Sequence, residues 1–249
     1  MTVDDGCIGD DLAVLVACRD NRQFELEVDE AWVFPVVSGT AANALALSAL
    51  CPPWGAVVCH HTAHITVNEA AGTSLFSGGA ALLGVGGADG RIPPERLTDL
   101  LDRTGWGDPH RSQPSVLSLT QPTDLGTVYP LDHVARLVEV ARSRDMRIHM
   151  DGARLANAII TLGCTPAEAT WRAGVEVFTL GATKNGVLST DAIVSLDAEV
   201  AHQLTYRLKR SGHVASKMRF QSVQLDAYLT DDRWLTTARA ANDAAARLA

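Results

Sequence analysis

Lys184 lies in the run Phe178-Thr179-Leu180-Gly181-Ala182-Thr183-Lys184-Asn185-Gly186, after an apolar stretch that reads as a buried strand. Small residues surround it and a hydroxyl residue precedes it, so its amine can do covalent chemistry on a carbonyl. A second polar group stands at another predicted strand end, in His149-Met150-Asp151-Gly152-Ala153-Arg154. An amine and a carboxylate, each closing its own strand, are what pyridoxal phosphate requires. The lysine holds the cofactor as a Schiff base, and the aspartate keeps the pyridine nitrogen protonated so that the ring draws electrons. A solvated loop lysine is the plainer reading of Lys184 taken alone. Asp151 shifts the balance toward the cofactor.

Other motifs carry paired readings. Ser38-Gly39-Thr40-Ala41-Ala42-Asn43 sits where a predicted strand turns into an alanine-rich helix. Glycine, hydroxyls and a helix N-terminus make a phosphate seat; a plain N-cap by Ser38 or Thr40 is the other reading. Thr183 could add a hydroxyl to the same phosphate. His60-His61-Thr62-Ala63-His64 spaces imidazoles at i and i+4, as a metal site would, yet no HExxH occurs and Glu69 is no obvious third ligand. No metal is expected. One imidazole of this run could instead lie on a cofactor ring and move protons, with structural roles for His60 and His61. Gly84-Val85-Gly86-Gly87-Ala88-Asp89 fails as a dinucleotide fingerprint at its third glycine, and Pro93-Pro94 delays the next helix. Tyr206-Arg207-Leu208-Lys209-Arg210 and Ser216-Lys217-Met218-Arg219 concentrate positive charge. They read as a solvated helix face, or as a phosphate or subunit-interface element.

The elements that must position these groups alternate short apolar, β-branched runs with longer periodic ones, the pattern of an α/β sheet with crossover helices. Strands are predicted at Ala31–Val37, Ala56–His60, Ala80–Val85, Ser115–Leu119, Arg147–Asp151, Val175–Leu180 and Ala192–Leu196, several apolar throughout as in strands covered on both faces. Leu131–Arg144 carries a helical stripe. Thr165-Pro166-Ala167-Glu168 is a capping box with proline at the first helical position. Helical patterns are also read at Asp10–Asp20 and, unbroken, from Ser216 to Ala249. At 249 residues, with 47% hydrophobic and 20% charged residues, the chain suits one ordered domain. A net charge of −8 argues against nucleic acid as a partner, and no apolar run has membrane-spanning length. Asp4 and Asp5 stand where a signal peptide would be positive. Five cysteines without a CxxC pair fit thiols in a reducing cytoplasm.

With its strand-end lysine and aspartate, its Ser38–Asn43 and His64-Ile65 segments, and the runs from His149 to Ala158 and from Gly181 to Gly186, the chain resembles the low-specificity L-threonine aldolases. These belong to the β-eliminating lyase group of pyridoxal-phosphate enzymes. The resemblance runs collinearly from about Asp10 to the last residue. It implies a mostly parallel α/β sheet with helices on both faces, the large domain of the fold-type-I pyridoxal enzymes. It also implies cleavage of threonine-like β-hydroxy-α-amino acids to glycine and an aldehyde. By resemblance, Lys184 carries the cofactor, Asp151 pairs with its ring nitrogen, and His64 stacks on the ring. Gly39 and Thr40 bind phosphate, helped by Arg219 from a neighbouring subunit of a dimer or tetramer with shared sites. Arg154 contacts the substrate carboxylate, as suits a planar bidentate donor. Another pyridoxal lyase reaction on the same scaffold, or a truncated form with an oligomerisation role only, are the alternatives. Family members are longer at both ends, and some carry a histidine where Gln121-Pro122-Thr123-Asp124 stands here. Residues 1–249 are therefore expected to form a single cofactor-binding domain without the C-terminal small domain. That domain is expected to bind cofactor better than it catalyses and to expose apolar surface on its final helix.

Overall fold

A computed structural model describes residues 16–17 and 31–248. Eight strands form one sheet in the order β1-β2-β8-β7-β6-β5-β3-β4. They are β1 (Val16–Ala17), β2 (Trp32–Val36), β3 (Gly55–His60), β4 (Ala81–Val85), β5 (Gln113–Thr120), β6 (Arg147–Asp151), β7 (Val177–Leu180) and β8 (Asp191–Ser195). Strands β4, β3, β5, β6 and β7 pair in parallel. Strand β8 lies antiparallel between β7 and β2, and β1 pairs antiparallel at the edge. The sheet is thus mostly parallel, as expected.

Ten helices accompany it: α1 (Gly39–Leu50), α2 (His64–Val67), α3 (Gly72–Ser77), α4 (Pro94–Asp102), α5 (Leu131–Arg142), α6 (Leu155–Leu162), α7 (Pro166–Ala169), α8 (Ala198–Arg210), α9 (Arg219–Leu229) and α10 (Arg233–Ala246), counted among the described residues. Alternation along the strands feeds two apolar layers. Val57, Val116, Val177 and Ile193 pack with α1 and α8 on one face. Val58, Leu117, Ile148, Phe178 and Val194 pack with α4, α5, α6, α9 and α10 on the other. Burial on both faces explains why the strands read as continuous apolar runs.

Three expectations need correction. Val16 and Ala17, inside the stretch read as helical, form a strand; the rest of Asp10–Asp20 lies outside the described residues. The Ser216–Ala249 pattern is two helices, broken where Asp231 and Asp232 adopt positive φ of 55° and 52°. The final helices do not present their apolar stripe to solvent. Leu225, Tyr228, Leu229, Trp234 and Ala238 are buried in the core layer on one face of the sheet, with α10 packed on α6, and Phe220 and Val223 stay exposed. The capping box forms, with Thr165 Oγ1 accepting from Glu168 N–H and Glu168 accepting from Thr165 N–H, but it opens only the short α7.

Candidate active site

The carboxyl ends of β2, β3, β5, β6 and β7 open on one edge of the sheet, and β8, running the other way, begins there. A cavity of about 280 Å³ lies along this edge, lined among others by Thr40, His64, Asp151, Arg154, Lys184 and Asp191. Ligands bind at this edge in open α/β sheets because loops from successive strands converge there. Gly39 and Thr183 also border the cavity. Seven of the eight residues singled out from sequence therefore meet in one place. Arg219, at the start of α9, does not; it is exposed, with its guanidinium 5.8 Å from the Phe220 ring.

Lysine and aspartate are brought together by backbone contact. A Cβ on Gly152 would lie 2.3 Å from Thr179 O, and one on Gly181 would lie 2.0 Å from Ala153 O. Only glycine at both positions lets the β6 and β7 exits touch, and Gly181 N–H donates to Gly152 O at 3.0 Å. β7 ends at Leu180, as the predicted strand does, and Lys184 sits beyond it in a single 3₁₀ turn, Thr183–Asn185, with its side chain exposed to the cavity. That turn is fixed from two sides. Asp191, buried at the start of β8, accepts from Ala182 N–H at 2.8 Å and Thr183 N–H at 3.0 Å. On the other side Asn185 Nδ2 donates to Tyr228 Oη and to Trp234 O, and Tyr228 Oη donates to Gly181 O.

Asp151 is buried at 2% exposure. Its Oδ1 accepts from Ala153 N–H at 3.0 Å and Thr179 Oγ1 at 3.4 Å, and its Oδ2 from Asn43 Nδ2 at 3.0 Å. Among the described residues none of these donors is a cation. Beneath it on β6, His149 is fully buried against Ser118 Oγ at 2.9 Å, and burial pushes its pKa down to about 4 despite nearby Asp151. Ser38 caps α1 by accepting from Ala41 N–H at 3.2 Å, while Gly39 and Thr40 border the cavity. The N-cap reading holds.

His64 opens α2, and its Nδ1 lies 2.9 Å from Glu69 Oε1. Glu69 also accepts from Asn43 Nδ2 at 2.9 Å, and its side chain is wholly buried. Burial raises the Glu69 pKa against the opposing pull of Asn43 and His64. The sequence reading passed over Glu69, Asn43 and Asp191. A His–Glu pair at i,i+5 does not share a helical face; it meets because α2 ends at Val67 and the chain leaves the helix before Glu69. His60 and His61 stay outside the cavity, with His60 bonded to Thr62 Oγ1 and Gly87 O. Among the described residues no three His, Cys, Asp or Glu side chains cluster to hold a metal. Nor is any described helix long and apolar enough to cross a membrane.

The sheet order and the edge cavity define the architecture of the fold-type-I pyridoxal-phosphate enzymes. Solved structures agree. The chain superposes on Leishmania major threonine aldolase with a TM-score of 0.83 at 23% identity, covering 91% of this chain and 65% of that one. It also superposes on a Thermus thermophilus aspartate aminotransferase mutant with a TM-score of 0.63 at 16% identity, covering 89% and 57%. The chain belongs to the β-eliminating lyase family, whose model matches residues 1–249. It is 40% identical to a low specificity L-threonine aldolase of Pseudomonas aeruginosa over 97% of this chain and 68% of that protein. A second such aldolase, from a Pseudomonas species, is 39% identical over 86% of this chain and 61% of its own length. The chain thus spans about two thirds of the relatives it matches.

Proposed function

We propose that the protein is a pyridoxal-phosphate-dependent aldolase that cleaves threonine and related β-hydroxy-α-amino acids to glycine and an aldehyde. The observation that carries this reading is the convergence of Lys184, Asp151, His64, Thr40 and Arg154 on one cavity. The residues fit the cofactor. Asp151 is a buried carboxylate held only by neutral donors, a costly arrangement unless a cation completes it. A protonated pyridine nitrogen is such a cation. Lys184 would hold the cofactor aldehyde carbon, and Gly39, Thr40 and Thr183 its phosphate, at the α1 N-terminus. When bound, the ring supplies an electron sink for the pair released as the Cα–Cβ bond breaks.

The chain's own groups do the rest. Arg154 would bind the substrate carboxylate and so fix the orientation of the Cα substituents. His64 accepts the β-hydroxyl proton as the aldehyde forms. Lys184 would be the residue through which the chain holds the cofactor before substrate arrives and after glycine leaves. Arg219, outside its own cavity, is assigned to a neighbouring subunit's phosphate in a symmetric homo-oligomer, where each copy gives and receives the same residue. The test is a coupled assay for acetaldehyde released from L-threonine, with borohydride trapping and peptide mapping. Turnover lost in Lys184→Ala, with the reduced cofactor on the Lys184 peptide, is the expected result. Label on Lys209 or Lys217, or full turnover by Lys184→Ala, would refute the assignment.

A further inference from the structure

Asp151, Asn43, Glu69 and His64 form one hydrogen-bonded row drawn from β6, α1, the turn after α2 and α2 itself. Both protons of the Asn43 amide are committed, one to each carboxylate. Glu69 Oε1 faces two partners, the Asn43 NH2 and His64 Nδ1, each at 2.9 Å. One oxygen cannot donate to an NH2 group, which has no free lone pair to offer, so toward Asn43 it is an acceptor. When Glu69 is ionised, the same oxygen also accepts from His64 Nδ1–H. The neutral imidazole must then carry its proton on Nδ1, leaving the Nε2 lone pair available.

We propose that Glu69 is a positioning residue that fixes the tautomer and ring orientation of His64, with Asn43 as the crossbar that holds Glu69 in place and ties it to Asp151. This rests on the aldolase reading for its consequence: only an unprotonated Nε2 can take the β-hydroxyl proton. A further observation supports it. Glu69 is wholly buried, and among the described residues the groups that act on it, Asn43 from α1, His64 from α2 and Asp151 from β6, include no lysine or arginine. A buried carboxylate kept there without a permanent cation serves the one partner that can become cationic, His64. Once Nε2 has accepted a proton, the imidazolium lies against Glu69 and is stabilised at the moment it forms.

Glu69→Gln and Glu69→Ala separate geometry from charge. In Glu69→Gln the carbonyl oxygen must take the Oε1 place, because an NH2 there would abut the Asn43 NH2. The Nδ1–H tautomer is therefore retained and only the charge is lost. In Glu69→Ala the acceptor is gone, and the proton should move to Nε2.

The experiment records ¹⁵N spectra of histidine-labelled full-length chain without cofactor at mildly alkaline pH, with the His64 signals assigned by difference from His64→Gln. Expected are Nδ1–H in the native protein and in Glu69→Gln, and Nε2–H in Glu69→Ala. With cofactor, kcat of Glu69→Ala should fall about 10–100-fold, as for other supporting partners of a working histidine, with KM changed less than about threefold. Glu69→Gln should recover part of that loss. Nδ1–H persisting in Glu69→Ala, or native kcat in that variant, would overturn the proposal. So would Nε2–H in the native chain, a result that needs no variant to fold. If the native enzyme fails to cleave threonine while the tautomer pattern holds, the aldolase reading fails and the positioning role stands.

Discussion

Tyr228→Phe should loosen the turn that carries Lys184, although Tyr228 lies 43 residues away from its partner Asn185. The hydroxyl accepts from Asn185 Nδ2 at 2.7 Å and donates to Gly181 O at 3.2 Å, in a site where Tyr228 is 6% exposed. Phenylalanine keeps the ring and its edge contact with Trp234 but removes both bonds. Each is worth about 0.5–1.5 kcal/mol net, so the loss should be about 1–3 kcal/mol. For a chain of this size that lowers Tm by roughly 2–4 °C per kcal/mol, or about 4–8 °C at the midpoint. Asn185→Ala removes the bond to Trp234 as well and should cost a similar amount. The double variant should cost less than the two singles added, by about 0.5–1.5 kcal/mol, because they share one bond. Since a displacement of about 1 Å of a reacting group can cost roughly 10²-fold in rate, kcat should fall about 10-fold or more, with little change in cofactor binding. Thermal unfolding and threonine turnover on the four proteins measure both effects. Strict additivity, with Tm of Tyr228→Phe within about 1 °C of native, would show that the α9–α10 pair does not brace the lysine turn.

Burial pushes Tyr129 and Tyr228 up to about 12, from an ordinary value near 10. The stability held by their neutral forms is complete below pH 10 and lost as pH rises toward 12, so urea midpoints should fall steeply over that range, less so in Tyr228→Phe. His149, depressed to about 4 by burial, acts at the other end: the unfolded chain takes its proton near pH 6.5 and the native one does not. Stability should decline as pH falls from about 6.5 toward 4, and His149→Gln should flatten that decline, as urea titrations at each pH would show. Ala71→Gly, at φ 61°, should relieve left-handed strain and raise stability by about 0.5–1 kcal/mol, read as a Tm increase.

Much of this structure was legible where a residue's role is decided close by in sequence. β6 was expected at Arg147–Asp151 and lies there, because an apolar run bounded by Arg147 and Gly152 has one stable use in a two-sided sheet. Helix α5 starts at Leu131 as its stripe predicts, and Ser38 caps α1 as its type predicts. Failures began where the chain reverses. The Ser216–Ala249 stripe continues through Asp231 and Asp232, and only their left-handed backbone divides it. The strand before Lys184 ends at Leu180 as expected, but the turn that carries the lysine left no local signal, because its amides are held by Asp191 from β8.

The row through Asn43 shows why the site was harder to read than the sheet. Asn43 looked like the tail of a phosphate motif on α1, and its partner Asp151 is 108 residues away. Its other partner, Glu69, lies 26 residues on, at a spacing from His64 that no helix would bring together. Neither relation leaves a periodic trace. A period of two or 3.6 records which side of an element faces the core, and says nothing about which polar groups meet once cores are packed. Residues such as Asp151 and Thr40, which border the cavity from a strand end and a helix start, were singled out because those ends are local features. The polar groups that hold the found residues in register, Glu69, Asn43, Asp191 and Tyr228, are defined only by the packing of α1, β8 and α9 around the same edge.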